Sequence, residues 1–379
     1  MGLLTGALPD FPWDTLTPFA RQAREHPGGI VDLSVGTPVD PTPAVVRDAL
    51  AAASDSHGYP LTAGTPELRA AVVRWFARRR GVPGLDPAGV LPVIGSKELV
   101  ALLPSLLGLG AGDVVLHPAA AYPTYDVGAR LAGATPVGVD DPAARLAASD
   151  DVRLVWLNSP GNPDGSVLGV EELREVVGAA RAAAARTGRP VVVASDECYA
   201  ELAWDEPWAS EGVPSVLDPR VTGGDLTGLL AVYSLSKQSN LAGYRAAFVA
   251  GDTELVGRLL EARKHLGMIV PGPVQSATTV ALDDDEHVRD QRERYRRRRA
   301  LLRGAFEDAG YVVDRSHAGL YLWVRPEGGQ GPWETVRDLA GLGILVAPGT
   351  FYGDQAHVRV ALTASDEAVA EAAARLRGA

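Results

Sequence analysis

The sequence predicts an α/β fold, with a mainly parallel sheet covered on both faces by helices. Two observations predict it. Short apolar runs recur through the middle of the chain, and segments rich in Ala, Leu and Arg separate them. The runs occupy residues 113–117, 153–157, 190–195, 228–234 and 246–250. Each run is nearly continuous rather than alternating, which is typical of strands that are buried on both faces.

A chain of 379 residues has the length of two domains packed into one unit. The acidic stretch 283–287 interrupts the α/β pattern and predicts a boundary nearby. We therefore expect an N-terminal arm and part of a small domain at 1–40, a large domain at 41–280, and a C-terminal small α/β domain at 281–379.

One glycine-rich segment and one arginine-rich segment have simple structural interpretations. The segment 108–112 resembles part of a dinucleotide loop, but it follows a helix and precedes a strand, so we predict a helix-terminating turn. The segment 289–303 contains eight arginines interleaved with acidic residues. Val288, Tyr295 and Leu302 recur every seven residues there, which predicts an amphipathic helix with a solvated charged face.

Composition narrows the class of function. The formal net charge of −11 argues against nucleic acid and anionic membranes as partners. A single cysteine, Cys198, fits a reducing compartment, and no secretory signal or membrane-spanning apolar stretch is evident. The histidines lack metal-ligand spacing, so no metal is expected. We expect a cytoplasmic enzyme that acts on small molecules.

Lys237 is the most informative residue of the chain. It follows the apolar run 228–234 within Ser234-Leu-Ser236-Lys237, and Arg245 follows eight residues later. Partial burial at the end of a strand favours a neutral amine, which can condense with an aldehyde. The serines and the arginine are donors suited to a phosphate. Together these features predict pyridoxal 5'-phosphate (PLP), an aldehyde cofactor that carries a phosphate. The alternatives are a solvated surface lysine and a Ser-x-x-Lys nucleophile, which would need a later Lys-Thr-Gly that the chain lacks.

Asp196 and Tyr199 follow the apolar run 190–195. An acidic residue at the C-terminal end of a parallel strand lies at the ligand-binding edge of the sheet. PLP needs one carboxylate beside its pyridine nitrogen, and Asp196 is placed for that role. Tyr199 could donate its hydroxyl to the phenolate oxygen of the cofactor. The alternative for Asp196 alone is a helix N-cap.

Three upstream segments carry further candidates. Asn158 and Asn162 lie in a loop rich in Pro and Gly after the run 153–157, where a rigid turn could hold a side-chain amide. Ser96 and Lys97 begin a predicted helix after Gly95, and exposed N–H groups at a helix start bind phosphate. An aromatic ring at Tyr122 could stack on the pyridine ring.

These segments, in this order, resemble the class I and II aminotransferases of PLP fold type I. The motifs that carry the resemblance extend from about residue 30 to residue 365: Gly36-Thr-Pro38, Tyr59 with Gly64 and Leu68-Arg69, Gly95-Ser96-Lys97, Tyr122-Pro123, Asn158 to Gly165, Asp196 to Tyr199, Ser234 to Arg245, and Arg359. Eight motifs in the family's order are far more specific than any one of them.

The resemblance implies a role for each matching residue. It implies that Lys237 binds PLP covalently and that Asp196 pairs with the pyridine nitrogen, while Asn162 and Tyr199 contact the phenolate oxygen and Tyr122 stacks on the ring. It further implies a homodimer, in which Tyr59 reaches the phosphate site of the other subunit. The phosphate ligands implied are Ser96, Lys97, Ser234, Ser236 and Arg245. The substrate contacts implied are Gly36, Asn162 and Arg359, of which Arg359 would bind the α-carboxylate. Its strand shows alternating polarity, so an exposed strand arginine is the alternative.

Two positions depart from the family pattern. The usual Asn-Pro-Thr-Gly is Asn162-Pro163-Asp164-Gly165 here, so a carboxylate replaces a threonine hydroxyl. The glycine expected two residues after Arg245 is Ala247. Neither position carries an assigned catalytic role, but both could alter loop geometry.

The finer resemblance, carried by 95–100, 121–133, 236–245 and 346–353, is to N-succinyldiaminopimelate aminotransferases of the actinobacterial type. It implies amino transfer from glutamate, by a ping-pong route through pyridoxamine phosphate, in lysine and diaminopimelate biosynthesis. A second basic group should then bind the distal acidic group, with Lys97, Arg263 and Lys264 as candidates. The alternatives are an aminotransferase of another amino acid (aspartate or aromatic), a PLP-dependent C–S lyase, and a non-catalytic binding module.

Overall fold

A central sheet organises the structure, a computed structural model that describes residue 8 and residues 11–378. The strands of the described residues are, in chain order, β1 (Val31–Asp32), β2 (Val90–Ile94), β3 (Val114–Pro118), β4 (Thr135–Val139), β5 (Val152–Asn158), β6 (Val192–Asp196), β7 (Leu229–Ser234), β8 (Ala246–Gly251), β9 (Tyr311–Asp314), β10 (Tyr321–Pro326), β11 (Ile344–Leu345), β12 (Ala347–Pro348) and β13 (Val358–Ala361). The five apolar runs of the sequence form β3, β5, β6, β7 and β8, so the strand predictions are confirmed.

The helices alternate with these strands. In chain order they are α1 (Thr17–Arg24), α2 (Ala44–Ala52), α3 (Pro66–Arg79), α4 (Ser96–Leu106), α5 (Thr124–Ala132), α6 (Pro142–Ala147), α7 (Val170–Thr187), α8 (Trp208–Glu211), α9 (Pro219–Thr222), α10 (Leu235–Gln238), α11 (Thr253–Leu266), α12 (Gly272–Asp283), α13 (Glu286–Asp308), α14 (Pro332–Gly341) and α15 (Asp366–Arg377). The glycine-rich segment 108–112 lies between α4 and β3, where the sequence predicts a helix-terminating turn.

Seven strands form the large sheet in the order β2-β8-β7-β6-β5-β3-β4. Strand β8 runs opposite to the other six strands, which all run in one direction, so the sheet is mainly parallel, as predicted. Successive side chains of a strand point to opposite faces. In β5, Val155 and Leu157 therefore pack on the α3 and α7 side, while Leu154 and Trp156 pack on the α4 and α5 side. Helices cover both faces, which confirms the predicted α/β fold.

A second, antiparallel sheet has the order β12-β13-β10-β9 and forms a separate apolar core with α13, α14 and α15. Helix α13 buries Val288, Tyr295 and Leu302, and Tyr295 and Leu302 belong to this core, so the predicted amphipathic helix is confirmed. Its charged face is not wholly solvated, because Arg298 is buried in an ion pair with Asp40. Strand β1 also contributes to this core, which joins the N-terminal part of the chain to the C-terminal part. The predicted domain limits of 1–40, 41–280 and 281–379 stay a prediction.

The sheet topology brings the ends of three strands together. Asn158 at the end of β5 is paired in register with Asp196 at the end of β6, and β7 ends beside them at Ser234. Parallel strands place their C-terminal ends at one edge, which is where ligands bind in α/β folds. No helix within the described residues is both long and apolar enough to cross a membrane.

Candidate active site

A cavity of about 480 Å³ opens at this edge of the sheet. Among the described residues, the charged side chains that line it are four cations and one carboxylate: Lys97, Lys237, Arg245, Arg359 and Asp196. This excess of positive charge contrasts with the net charge of −11 for the whole chain. A cavity that concentrates cations within an acidic protein attracts anionic ligands.

Lys237 lies in α10, directly after β7, and its side chain is partly buried. Its Nζ donates a hydrogen bond to the carbonyl oxygen of Gly36. The Tyr321 ring packs closely on Gly36. A Cβ added at Gly36 would lie 2.2 Å from the Tyr321 hydroxyl oxygen, so this position requires glycine. Within the described residues Lys237 has no carboxylate partner, and its amine is available to an aldehyde in the cavity.

Asp196 is held from two sides. Its Oδ1 accepts a hydrogen bond from the backbone N–H of Cys198 at 3.2 Å, and its Oδ2 accepts one from the hydroxyl of Tyr125 at 3.1 Å. Burial raises the pKa of Asp196, and the hydrogen bonds from Cys198 and Tyr125 offset this shift only in part. A cationic ligand group beside Asp196 would favour the ionised carboxylate and so counter the effect of burial.

A group of hydroxyls and one guanidinium forms the other end of the cavity. Ser234 Oγ lies 2.8 Å from Ser236 Oγ, and Ser96 begins α4, whose first N–H groups have no partner within the helix. Arg245 passes over Gly95: a Cβ added there would lie 2.0 Å from the Nη2 atom. Gly95 also has a φ of +79°, which favours glycine. Hydroxyls, a helix N-terminus and an arginine together suit a phosphate.

Arg359 lies on β13 and is 98% buried, since only 2% of its surface is exposed. Its Nη1 donates to Asn162 Oδ1 at 2.9 Å, and its Nη2 donates to the carbonyl oxygen of Ser34 at 2.7 Å. The guanidinium also lies over the rings of Tyr321 at 4.0 Å and Tyr352 at 4.9 Å. The alternative of an exposed strand arginine is therefore wrong.

Two tyrosines face each other beside Lys237. The hydroxyl oxygens of Tyr199 and Tyr321 are 3.3 Å apart. Burial, followed by the neighbouring Tyr321, raises the pKa of Tyr199. Burial also opposes ionisation of Tyr321, but the charges of Arg359 and Lys237 bring the pKa of Tyr321 below its ordinary value. Of the two hydroxyls, that of Tyr321 therefore loses its proton more readily.

An aromatic wall closes the side of the cavity that the N-terminal arm covers. Trp13 packs against Tyr122 with ring centroids 5.7 Å apart, and Phe11 packs against Trp13 at 5.5 Å. Lys97 donates from Nζ to the Tyr122 hydroxyl at 3.0 Å and lies 5.6 Å from the centre of the Phe11 ring. The ammonium of Lys97 is thus held at the aromatic wall.

Three residues named from the sequence lie elsewhere. Arg263 is fully buried in an ion pair with Glu98 at 2.8 Å, which rules it out as a mobile distal contact. Lys264 pairs with Glu261 at 2.7 Å on the exposed side of α11 and does not line the cavity. Tyr59 is 99% exposed and likewise does not line the cavity of its own chain.

Four aromatic residues that line the cavity were not predicted as site residues from the sequence: Tyr125, Tyr321, Trp13 and Phe11. A signal for Tyr125 existed, because it falls in the first turn of the same helix start as Tyr122. No local pattern marks Tyr321 or Trp13. Their place depends on contacts between distant parts of the chain, such as the 122 residues that separate Tyr199 and Tyr321.

The hydrogen-bond donors that line the cavity, and the space between them, fit PLP. The phosphate would be held by Ser96, Ser234, Ser236 and Arg245. Arg245 reaches this position because Gly95 has no Cβ, which would otherwise displace the guanidinium. Asp196 would pair with the pyridine nitrogen, and Lys237 would bind the aldehyde carbon. When bound there, PLP supplies an electron sink for a substrate carbanion. The roles of Asn162, Tyr122 and Tyr199 toward the ring stay predictions.

Comparison with known proteins identifies the family. The family model "Aminotransferase class I and II" matches residues 29–376. The chain is 54% identical to the 4-dedimethylamino-4-oxo-anhydrotetracycline transaminase of Streptomyces rimosus, over 97% of this chain and 99% of that protein. It is 57% identical to a probable aminotransferase of Mycobacterium tuberculosis, over 99% of this chain and 87% of that protein.

The fold agrees with solved structures. One is the probable N-succinyldiaminopimelate aminotransferase of Thermus thermophilus, which is 30% identical and superposes with a TM-score of 0.84. That superposition covers 97% of this chain and all of the other chain. The family match over nearly the whole chain, together with the cation-lined cavity around Lys237, shows that the chain belongs to the PLP-dependent class I and II aminotransferases.

Proposed function

We propose that this aminotransferase moves an amino group between glutamate and the keto acid that corresponds to N-succinyl-LL-2,6-diaminopimelate. The supporting observation is the charge of the cavity, where four cations face one carboxylate. PLP would use Arg245 for its phosphate and Lys237 for its aldehyde. Arg359 then remains for substrate, and so does Lys97, whose ammonium contacts the Tyr122 hydroxyl. Glutamate carries two carboxylates and the succinylated substrate three, so each has at least one acidic group beyond the carboxylate at its reacting carbon.

Arg359 suits the acidic group that the two substrates share. The reacting carbon must occupy one place near Lys237 in both half-reactions, so one rigid contact can bind the α-carboxylate of either substrate. Arg359 is rigid because Asn162 and Ser34 hold its two terminal nitrogens. A guanidinium also matches the planar geometry of a carboxylate better than an ammonium does.

Lys97 suits the acidic group that differs in position between the two substrates. Its ammonium sits on a flexible side chain, and its polar contact within the described residues is the Tyr122 hydroxyl rather than a carboxylate. It can therefore follow a distal carboxylate to two distances. Of the three distal candidates, only Lys97 lines the cavity.

A second candidate substrate comes from the aromatic wall. The relative in Streptomyces rimosus is named as a transaminase of an oxo-anhydrotetracycline, and 54% of aligned positions are identical. Phe11 and Trp13 would give an acceptor of that kind an apolar surface to pack on. Aspartate, aromatic amino acids and C–S lyase chemistry are further alternatives that share the same cofactor contacts.

The half-reactions separate these candidates. The holoenzyme is mixed with each amino donor alone, and loss of the visible cofactor band is followed in single turnover. Bleaching by glutamate, with the band restored by the succinylated diaminopimelate keto acid, supports the proposal. Restoration by an oxo-anhydrotetracycline alone would select the second candidate. Release of pyruvate or ammonia would indicate a lyase, and no change with any donor would indicate a binding module.

Substitutions assign the two cationic contacts. Arg359→Lys should weaken both half-reactions together by about 2–4 kcal/mol, the range for disrupting a buried charge-assisted contact. Lys97→Met should instead change the ratio between the two substrates. Lys264→Met is a matched control, since this lysine lies outside the cavity. An Arg359→Lys enzyme impaired toward only one substrate would contradict a shared carboxylate site.

We further propose a cytoplasmic homodimer in which Tyr59 of each chain reaches the phosphate site of the other. Tyr59 is 99% exposed in the single chain, and the apolar side chains of Leu61, two residues later, and of Val39 are also exposed. A dimer interface would cover such a surface. Sedimentation at assay concentration tests the dimer, and an active monomer would refute it. Cell fractionation tests the location.

A further inference from the structure

Asp164, where the family pattern has threonine, forms an ion pair with a residue distant in sequence. The Asp164 carboxylate is buried, with 8% of its side chain exposed, and its Oδ2 accepts a hydrogen bond from Nη1 of Arg315. Its Oδ1 accepts from the backbone N–H of Ser166 at 3.1 Å and from the Ser166 hydroxyl at 2.9 Å. Arg315 lies in the turn between β9 and β10, so the pair joins the loop after β5 to the smaller sheet.

The turn that carries Arg315 has an unusual backbone. Arg315 and Ser316 have φ angles of 49° and 60°, a left-handed conformation that non-glycine residues rarely adopt. The backbone N–H of Ser316 donates to the carbonyl oxygen of Asp164 at 2.8 Å, and that of Ala318 donates to the carbonyl oxygen of Gly165 at 3.1 Å. Such a backbone persists only where surrounding contacts fix it, and it concentrates at functional positions.

The same loop carries Asn162 into the active site. The Asn162 backbone N–H donates to the side-chain oxygen of Asn158 at 2.8 Å, and Asn162 Oδ1 accepts from Arg359 at 2.9 Å. Only Pro163 separates Asn162 from Asp164, and proline fixes its own φ angle. A shift of the Asp164 carboxylate is thus transmitted over a short, stiff segment to the contact that orients Arg359.

We propose that the Asp164–Arg315 ion pair is a positioning contact that orients Arg359 through Asn162, and thereby sets the affinity for the substrate α-carboxylate. This inference rests on the proposed role of Arg359 as the carboxylate contact. Asp164 and Arg315 are positioning residues, since neither lines the cavity that holds Lys237. A contact that served only to join the two sheets would change stability without changing carboxylate affinity.

The test uses the holoenzyme and two variants. Arg315→Ala breaks the pair and leaves the buried Asp164 carboxylate without its cation, which lowers stability as well. Arg315→Ala combined with Asp164→Thr removes the buried charge and restores the residue type of the family pattern. Glutarate, a dicarboxylate without a reacting amino group, is the binding probe. The readouts are its Kd from the cofactor absorbance, the glutamate KM and kcat, and the melting temperature.

We expect Arg315→Ala to raise the glutarate Kd and the glutamate KM by about tenfold, with kcat within about twofold of wild type; tenfold corresponds to a coupling free energy of about 1.4 kcal/mol. The double variant should recover the melting temperature but keep the raised Kd. A Kd within about twofold of wild type in Arg315→Ala, or recovery of both properties in the double variant, would overturn the inference.

Two further variants separate a loss of stability from a loss of carboxylate affinity. Arg220→Ala is the matched control, because Arg220 is 63% exposed and pairs with a buried Asp218, as Arg315 is 62% exposed and pairs with a buried Asp164. It should lower stability without changing the glutarate Kd. Arg359→Lys tests the underlying role: if it leaves the Kd unchanged, the proposed function of Arg359 fails whatever Arg315→Ala shows.

Discussion

Gly95→Ala tests the phosphate end of the active site more directly than removal of any phosphate ligand. The added Cβ would lie 2.0 Å from Nη2 and 2.6 Å from Cζ of Arg245, distances that atoms do not tolerate, so the guanidinium must move. The backbone must also hold a φ of +79° with a side chain present. The substitution therefore has two costs, one to the fold and one to the cofactor contact.

The two costs have different sizes and different readouts. At Gly95 φ is +79° and ψ is 148°, a combination essentially confined to glycine, and a side chain there costs on the order of 1–3 kcal/mol of stability. A lost hydrogen bond to a charged group costs about 1.5–3 kcal/mol, which weakens PLP binding by roughly 10- to 100-fold. Apoenzyme is titrated with PLP while tryptophan fluorescence is recorded. Pyridoxal, which lacks the phosphate, should bind the variant and the wild type equally.

Gly108→Ala separates the two costs. Gly108 lies just beyond the other end of α4 with a φ of +72°, and a Cβ there would meet nothing within 4 Å. It should also lose stability, because its side chain must hold a positive φ, but it should bind PLP as tightly as wild type. If both variants bind PLP equally, the reasoning that places Arg245 at the cofactor phosphate is refuted.

Three other substitutions probe single side chains. Lys237→Ala should bind PLP only non-covalently and should not transaminate, because the amine is the proposed covalent attachment and proton carrier; an adduct fixed by borohydride in this variant would contradict that. Asp196→Ala should lose kcat more than PLP affinity, since the carboxylate supports charge that develops in the transition state; an unchanged kcat in the PLP-loaded variant would reduce Asp196 to a helix cap. Tyr321 should ionise before Tyr199, because Arg359 and Lys237 bring the pKa of Tyr321 below its ordinary value against the effect of burial, whereas burial raises the pKa of Tyr199. The absorbance of apoenzyme near 295 nm during alkaline titration should therefore show an early step that Tyr321→Phe abolishes, and retention of that step would assign it elsewhere.

The sequence predicts those parts of the site that follow strand ends directly. Lys237 and Asp196 come at the change from an apolar run to a polar loop, and this local signal also locates β6 and β7. Arg263 shows the opposite case. It lies in a charged segment of α11 that has the composition of a solvated surface, yet it is fully buried against Glu98 on α4. Composition within one helix does not reveal which distant helix packs on it.

Trp13 and Phe11 of the aromatic wall were equally hidden from the sequence. Trp13 contacts Phe351 at 5.1 Å and lies within 5.9 Å of the Arg359 guanidinium, so its place depends on how the N-terminal arm folds across the C-terminal sheet. Apolar periodicity identifies β13 but not the burial of Arg359 within it. Burial of that arginine depends on rings contributed by three separate elements.

The surroundings of Arg359 have a practical consequence. Within residues 11–378 its guanidinium is surrounded by aromatic rings and neutral acceptors rather than by a carboxylate, and the same cavity holds three other cations. Simple inorganic anions such as chloride, sulfate and free phosphate should therefore occupy the site before substrate arrives. The apparent KM for amino acids will then rise with the concentration of anions in the buffer. KM values measured in phosphate or high-salt solutions will therefore understate the affinity of the enzyme for amino acids. Comparison with relatives requires one common, weakly coordinating buffer.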